Sequence, residues 1–178
     1  MLTDSEKRQL IEIARHSVFA TVGAESRAPL PDVPLPSASG VFVTIKRHGE
    51  LRGCLGTLSG VDELAREVAR CAADSAQEDP RFSPVTRDEV PDLSFEISVL
   101  GPLEKIDPHD PSAIAIGRHG LVVEQGRHRG LLLPQVATEW EWTREQFLRQ
   151  TCLKAGLPYD AWQHGAAVFR FEAEVFGE

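Results

Sequence analysis

The sequence predicts an α+β protein, with antiparallel or mixed sheets and helices packed on them. Two hydrophobic periods occur side by side along the chain, one near 3.6 residues and one of exactly two. They alternate without the regular strand–helix–strand repeat of a parallel sheet, giving roughly six strands and three helices by pattern. The chain has 178 residues, which favours one domain over 1–178, or two small lobes sharing a core.

Each element has a local reason. Thr3 and Glu6 form a T-x-x-E capping box, and Leu10, Ile11, Ala14 and Val18 follow at helical spacing. The stretch from Ala28 to Ser39 holds Pro29, Pro31, Pro34 and Pro36, which predicts an extended loop. Gly40 to Ile45 reads as a strand, His48-Gly49 as a tight turn, and Leu51 to Leu58 as the returning strand. Asp62 to Gln77 carries Leu64, Ala65, Val68, Ala69, Ala72 and Ala76 at spacings of three and four, the pattern of a helix lying close on a sheet.

Glu78 to Pro91 is punctuated by three prolines and reads as a loop. Leu93, Phe95, Ile97 and Val99 alternate with polar residues, the clearest strand in the chain. Pro102 to Pro111 reads as irregular, and Ala113 to Ile116 as a short turn or strand. Leu121 to Glu124 and Leu131 to Leu133 suggest a hairpin around Gln125-Gly126. A second capping box, Thr143 with Gln146, opens a helix that Gly156 closes and Pro158 cannot continue. The last strand places Phe169, Phe171, Ala173 and Val175 on one face.

Composition narrows the function classes. Nineteen basic against twenty-seven acidic residues give a net charge of −8, which argues against nucleic acid and anionic membranes as partners. No apolar run approaches the roughly 20 residues that span a bilayer. The N-terminus has no signal-like run, because Asp4, Glu6, Lys7 and Arg8 interrupt it. Cys54, Cys71 and Cys152 are widely spaced and odd in number, which predicts reduced thiols and a cytoplasmic location. Metal-ligand spacings, a phosphate-binding loop and a serine elbow are all lacking, so the residues call for no metal and no cofactor.

One segment carries chemistry, Leu51-Arg52-Gly53-Cys54-Leu55-Gly56-Thr57. Regular alternation puts Arg52, Cys54 and Gly56 on one face, where a guanidinium beside a thiol favours the thiolate. The glycines leave room for a ligand or another backbone. A two-residue turn would instead set Cys54 opposite Val43, on an apolar face, and a slip of one residue reverses this. Asp79-Pro80-Arg81-Phe82 displays a carboxylate and a guanidinium on a rigid turn, and these pair with each other or cap a neighbour. His119 lies in a loop ahead of a strand, a position suited to proton transfer or anion binding. Arg118, His119, Arg127, His128 and Arg129 gather near the second hairpin, and with Lys46, Arg47 and His48 could rim an anion site.

Six motifs occur in the order of one known family. L-R-G-C-L-G-T at Leu51–Thr57, D-P-R-F at Asp79–Phe82, S-V-L at Ser98–Leu100, G-x-H-G at Gly117–Gly120, L-L-P-Q-V-A at Leu132–Ala137 and C-L-K-A-G-L at Cys152–Leu157 resemble the AMMECR-one domain family. That family includes the A component of the AmmeMemoRadiSam system. Leu55, where isoleucine is common, is the one departure, and it is conservative. The resemblance implies two lobes around a cleft, with Arg52-Gly53-Cys54 lining or supporting it. It also implies, by gene association, a Memo-like protein and a radical-SAM enzyme as partners.

These residues suit two functions. In the first, the chain is a binding or accessory component. Arg52, Gly53, Gly56, Thr57, Asp79 and Arg81 would then meet a peptide, a small anion or a partner surface. In the second it is an enzyme, with Cys54 as nucleophile and His119 or Asp79 as proton carrier in a transfer or protein-modification reaction.

Overall fold

Helix α1 (Asp4–Thr21) begins, in the computed structural model, at the capping box that Thr3 and Glu6 were expected to form. The structure describes residues 1–23, 35–61 and 63–178. Pro29, Pro31 and Pro34 of the expected loop, and Asp62 at the expected start of the second helix, lie outside the described residues. The chain is α+β, and its described strands pair antiparallel. It divides into two compact units, Met1–Leu100 with Glu174–Glu178, and Gly101–Ala173.

In the first unit, β1 (Gly40–Arg47) lies between β2 (Glu50–Thr57) and β3 (Leu93–Leu100). His48 and Gly49 make the turn with φ of 52° and 83°, the left-handed pair of a two-residue hairpin. Val41, Val43, Ile45, Phe95 and Ile97 point to one face. There they pack with Leu10, Ile13, Ala14 and Val18 of α1 and with Val68, Cys71 and Ala72 of α2 (Leu64–Gln77). The other face carries Thr44, Lys46, Cys54 and Glu96, all half-buried. A 3-10 turn at Arg87–Asp92, missing from the sequence reading, opens with its own capping box, Thr86 and Glu89.

In the second unit, β5 (His119–Gln125) pairs with β6 (His128–Leu132) and with residues 167–172 of β7 (Ala167–Gly177), whose last four residues belong to the first unit, and β4 (Glu104–Ile106) pairs with β7. Pairing of Gln125 with His128 moves the hairpin turn to Gly126-Arg127, one residue beyond the expected place. Helix α3 (Pro134–Glu139) and β4 were not expected. Six and three residues are too short to show a period, and Pro134 starts α3 rather than breaking it. Helix α4 (Arg144–Lys154) has the Thr143–Gln146 box, and Gly156 at φ 75° closes it, with Leu157 N–H bonded to the Cys152 carbonyl. Phe147, Leu148 and Cys152 of α4 pack on Leu121, Val123 and Val168.

The expected single apolar face of β7 is corrected. Val168 joins the α4 core, whereas Phe171 is buried on the opposite face over Gly120, and Val175 is exposed. Buried side chains occur on both faces of this strand, so alternation cannot mark one of them as the core side. Among the described residues no helix is long and apolar enough to cross a membrane.

Candidate functional site

The site is built on β2. Strand pairing sets Thr44 opposite Cys54 and Ile45 opposite Gly53, and then Lys46 opposite Leu51, so Arg52 is an extra residue in a bulge. The bulge overturns two expectations. Cys54 faces Thr44 rather than Val43, and Arg52 leaves the simple alternation with Cys54 and Gly56. One inserted residue shifts every later side chain to the other face.

Arg52 is committed to the loop before β3. Its Nε donates to Glu89 Oε1 at 2.8 Å and Nη2 to Glu89 Oε2 at 3.0 Å, a two-pronged pair. Nη1 donates to the Ser83 carbonyl at 2.9 Å and Nη2 reaches the Pro84 carbonyl at 3.4 Å. Glu89 also accepts from the Thr86 N–H at 2.8 Å and from Arg47 Nη1 at 3.3 Å. The Arg52 fork, working against burial, holds the Glu89 carboxyl down at about 2.

This linkage has a direct consequence in acid. A depressed carboxyl stabilises the fold above its unfolded value near 4.5 and loses that contribution as pH falls towards about 2. Glu89→Gln is therefore expected to lower stability at pH 7 by about 2 kcal/mol. It should also flatten the fall in stability between about pH 4.5 and pH 2, as read by urea unfolding at stepped pH.

Asp79 is buried and closes the outer edge of β2. Its Oδ2 accepts the Cys54 N–H at 2.9 Å and Arg81 Nη2 at 2.8 Å. Its Oδ1 accepts the Arg81 N–H at 3.1 Å and Arg81 Nε at 3.0 Å. Arg81 Nη2 also reaches the Cys54 carbonyl at 3.4 Å. Asp79 and Arg81 thus meet both backbone groups of Cys54, as a neighbouring strand would. The Arg81 contact first, then the backbone N–H groups, hold the Asp79 carboxyl far below the usual range. The Phe82 ring is within reach of two cations, its centre 6.0 Å from the Arg52 guanidinium and 5.6 Å from that of Arg81.

The inner side of β2 is held by α2. Ser75 Oγ accepts the Leu55 N–H at 2.8 Å and donates to the Val43 carbonyl at 2.8 Å. Gly53 permits this approach, since a methyl there would sit 2.1 Å from the Ser75 carbonyl oxygen. Gly56 makes room for the Phe42 ring, which a methyl would meet at 2.5 Å. Thr57 is half-buried, and its Oγ1 accepts the Ser59 N–H at 3.2 Å.

The Cys54 thiol is half-buried and accepts a hydrogen bond from Thr44 Oγ1 at 3.1 Å. Burial pushes its pKa up. The Thr44 bond and the charge of Arg81 pull the other way, but less strongly. The cation that acts on the thiol is Arg81, not Arg52.

His119 belongs to the second unit. It is buried, and its Nδ1 accepts the Ala115 N–H at 3.0 Å, which places the ring proton on Nε2. Burial, and then Arg170 and Arg118, lower its pKa, which favours the neutral ring. Several of the basic residues expected to rim an anion site are paired with carboxylates instead. Lys46 pairs with Glu96, Arg47 with Glu89 and Asp92, His48 with Asp92, and Arg118 with Glu172. Among the described residues no three His, Cys, Asp or Glu side chains are grouped to hold a metal ion.

Sequence reasoning missed Thr44, Ser75 and Glu89. Glu89 was within reach, since T-x-x-E at Thr86 repeats the pattern at Thr3. Ser75 left a fainter sign, a hydroxyl between Ala72 and Ala76 on the buried stripe of α2.

Known proteins resemble this chain over nearly its whole length. A family model described as AMMECR1 matches residues 11–176. A protein of Methanothermobacter thermautotrophicus is 44% identical over 99% of this chain and 96% of its own. Another, from Pyrococcus furiosus, is 42% identical over 95% of this chain and 86% of its own. The crystal structure of the uncharacterised protein PH0010 from Pyrococcus horikoshii matches with a TM-score of 0.90 at 39% identity, covering 99% of this chain and 93% of that one.

Proposed function

The chain belongs to the AMMECR1 family, and from that premise we propose that it is a binding or accessory component rather than a catalyst. The partners are a Memo-like protein and a radical-SAM enzyme, and the docking surface is the strand face that carries Cys54. One observation carries this reading. The groups that looked catalytic are spent on holding β2, with Arg52 forked onto Glu89 and Asp79 fully engaged by Arg81 and the Cys54 N–H. A nucleophilic cysteine needs a depressed pKa, and burial raises this one.

Recognition chemistry remains on that face. Lys46 Nζ and Glu96 Oε2 form a half-exposed pair at 2.9 Å, beside Thr44 and Cys54. Arg81, with its side chain 56% exposed, adds a cation at the edge and suits a peptide or a small anion equally well. The proposal sets the protein in the cytoplasm, where Cys54, Cys71 and Cys152, all free, would stay reduced.

The test exchanges the ion pair. The double variant Lys46→Glu with Glu96→Lys restores the internal pair but inverts the polarity seen by a partner. Titration calorimetry with the Memo-like and radical-SAM proteins should show binding weakened about tenfold or more by the swap. Cys54→Ala should bind normally, and alkylation of Cys54 should stay slow until pH passes the ordinary thiol value of about 8.5. Rapid labelling at neutral pH, with loss of function in Cys54→Ala while complexes persist, would establish the nucleophile instead.

A further inference from the structure

The two strands that end the strand order, β2 and β6, are finished differently. At β2 the Asp79 carboxylate and Arg81 guanidinium meet the N–H and C=O of Cys54. At β6 nothing comparable is present among the described residues. β6 pairs with β5 alone and ends the strand order.

Hairpin geometry identifies its free groups. Gln125 and His128 close a two-residue turn, so they exchange hydrogen bonds. Alternation then makes Val123–Gly130 and Leu121–Leu132 the other bonded pairs. The N–H and C=O of Arg129 and Leu131 therefore point away from β5, and no side chain among the described residues meets them. Four backbone groups in a row, two donors and two acceptors, form a template for another strand.

The chemistry around this edge is one-sided. Arg127, His128 and Arg129 are consecutive and exposed. Gly130 lies against the backbone of Lys154 and Ala155, which brings the basic end of α4 to the same strand. Glu124 offsets part of this charge through its 3.4 Å pair with Arg129. The rest stands out in a chain whose net charge is −8. Two copies of this edge would repel each other, so the charge selects against self-pairing and for an acidic strand.

We infer that the free edge of β6 accepts an acidic, extended segment of a partner protein as an added strand. The backbone of Arg129 and Leu131 supplies the hydrogen bonds, and Arg127, Arg129 and Lys154 supply the charge selection. The edge of β6 belongs to the second unit and the Cys54 face to the first, and the two proposals rest on different residues, so either can fail alone.

The probe is a capped peptide of alternating glutamate and valine, with lysine replacing glutamate in a control. Amide hydrogen exchange should show the Arg129 and Leu131 N–H groups slowing about tenfold or more with the acidic peptide and unchanged with the basic one. Leu131→Pro removes one outward donor without touching the β5 ladder, and should weaken binding about tenfold. The peptide itself provides a check that needs no protein variant. N-methylation of the amides on one edge should abolish protection, and methylation on the other edge should leave it intact. Raised salt should weaken the complex. No protection at millimolar peptide, equal protection by the lysine peptide, or self-association through this edge at gel-filtration concentrations would each overturn the inference.

Discussion

Asp79→Asn is expected to destabilise the protein by about 3 kcal/mol at pH 7, read as a lowered urea midpoint with an unchanged slope. The carboxylate accepts four hydrogen bonds, one from the Cys54 N–H and three from Arg81. An asparagine keeps the shape but turns one acceptor into a donor, which then faces either the Cys54 N–H or Arg81. The cost is held near 3 rather than 5 kcal/mol because Arg81 is 56% exposed and water can take over its charge. The sign in acid follows from the depressed carboxyl. Its contribution is complete above the unfolded value of about 4 and fades as pH falls below it, so the gap between wild type and variant should narrow in acid. A loss under about 0.5 kcal/mol would mean that the edge of β2 needs no cap.

Gly53→Ala is expected to cost as much or more, about 3 kcal/mol. The added methyl would lie 2.1 Å from the Ser75 carbonyl oxygen, a backbone atom of α2. Relief requires β2 and α2 to separate. That would pull Ser75 from the Leu55 N–H and the Val43 carbonyl, and loosen Val68, Cys71 and Ala72 from the core. Gly60→Ala is the control, since a methyl there meets nothing within 4 Å, and it should change stability by less than about 0.5 kcal/mol. Equal effects at the two positions would show that glycine backbone freedom, not the close approach of α2, explains Gly53.

These two predictions mark where the sequence was readable. Gly53 was recognised as a place of close approach, but the approaching group was not, because Ser75 lies twenty-two positions away on another element. Asp79 and Arg81 were expected to pair or to cap a neighbour, and they do both. Their target, the backbone of Cys54, could be found only once β2 had an outer edge. The Arg52 bulge was hidden for the same reason: a strand's register depends on its partner, and the partner's numbering says nothing about an inserted residue.

Features that depend on neighbours within about four positions were legible along the chain. The capping boxes at Thr3 and Thr143, the helix stop at Gly156, the turn at His48-Gly49 and the buried alternation of Leu93 to Val99 all belong to this class. Motif order, read along the chain, also carried the AMMECR1 membership. The contacts of Arg52, Cys54 and His119 came from the tertiary fold alone. Arg52 meets Glu89 across 37 positions, and the Cys54 N–H meets Asp79 across 25. A guanidinium or thiol has the same intrinsic chemistry wherever it stands, and its role follows from the donor, acceptor and dielectric that the fold brings to it.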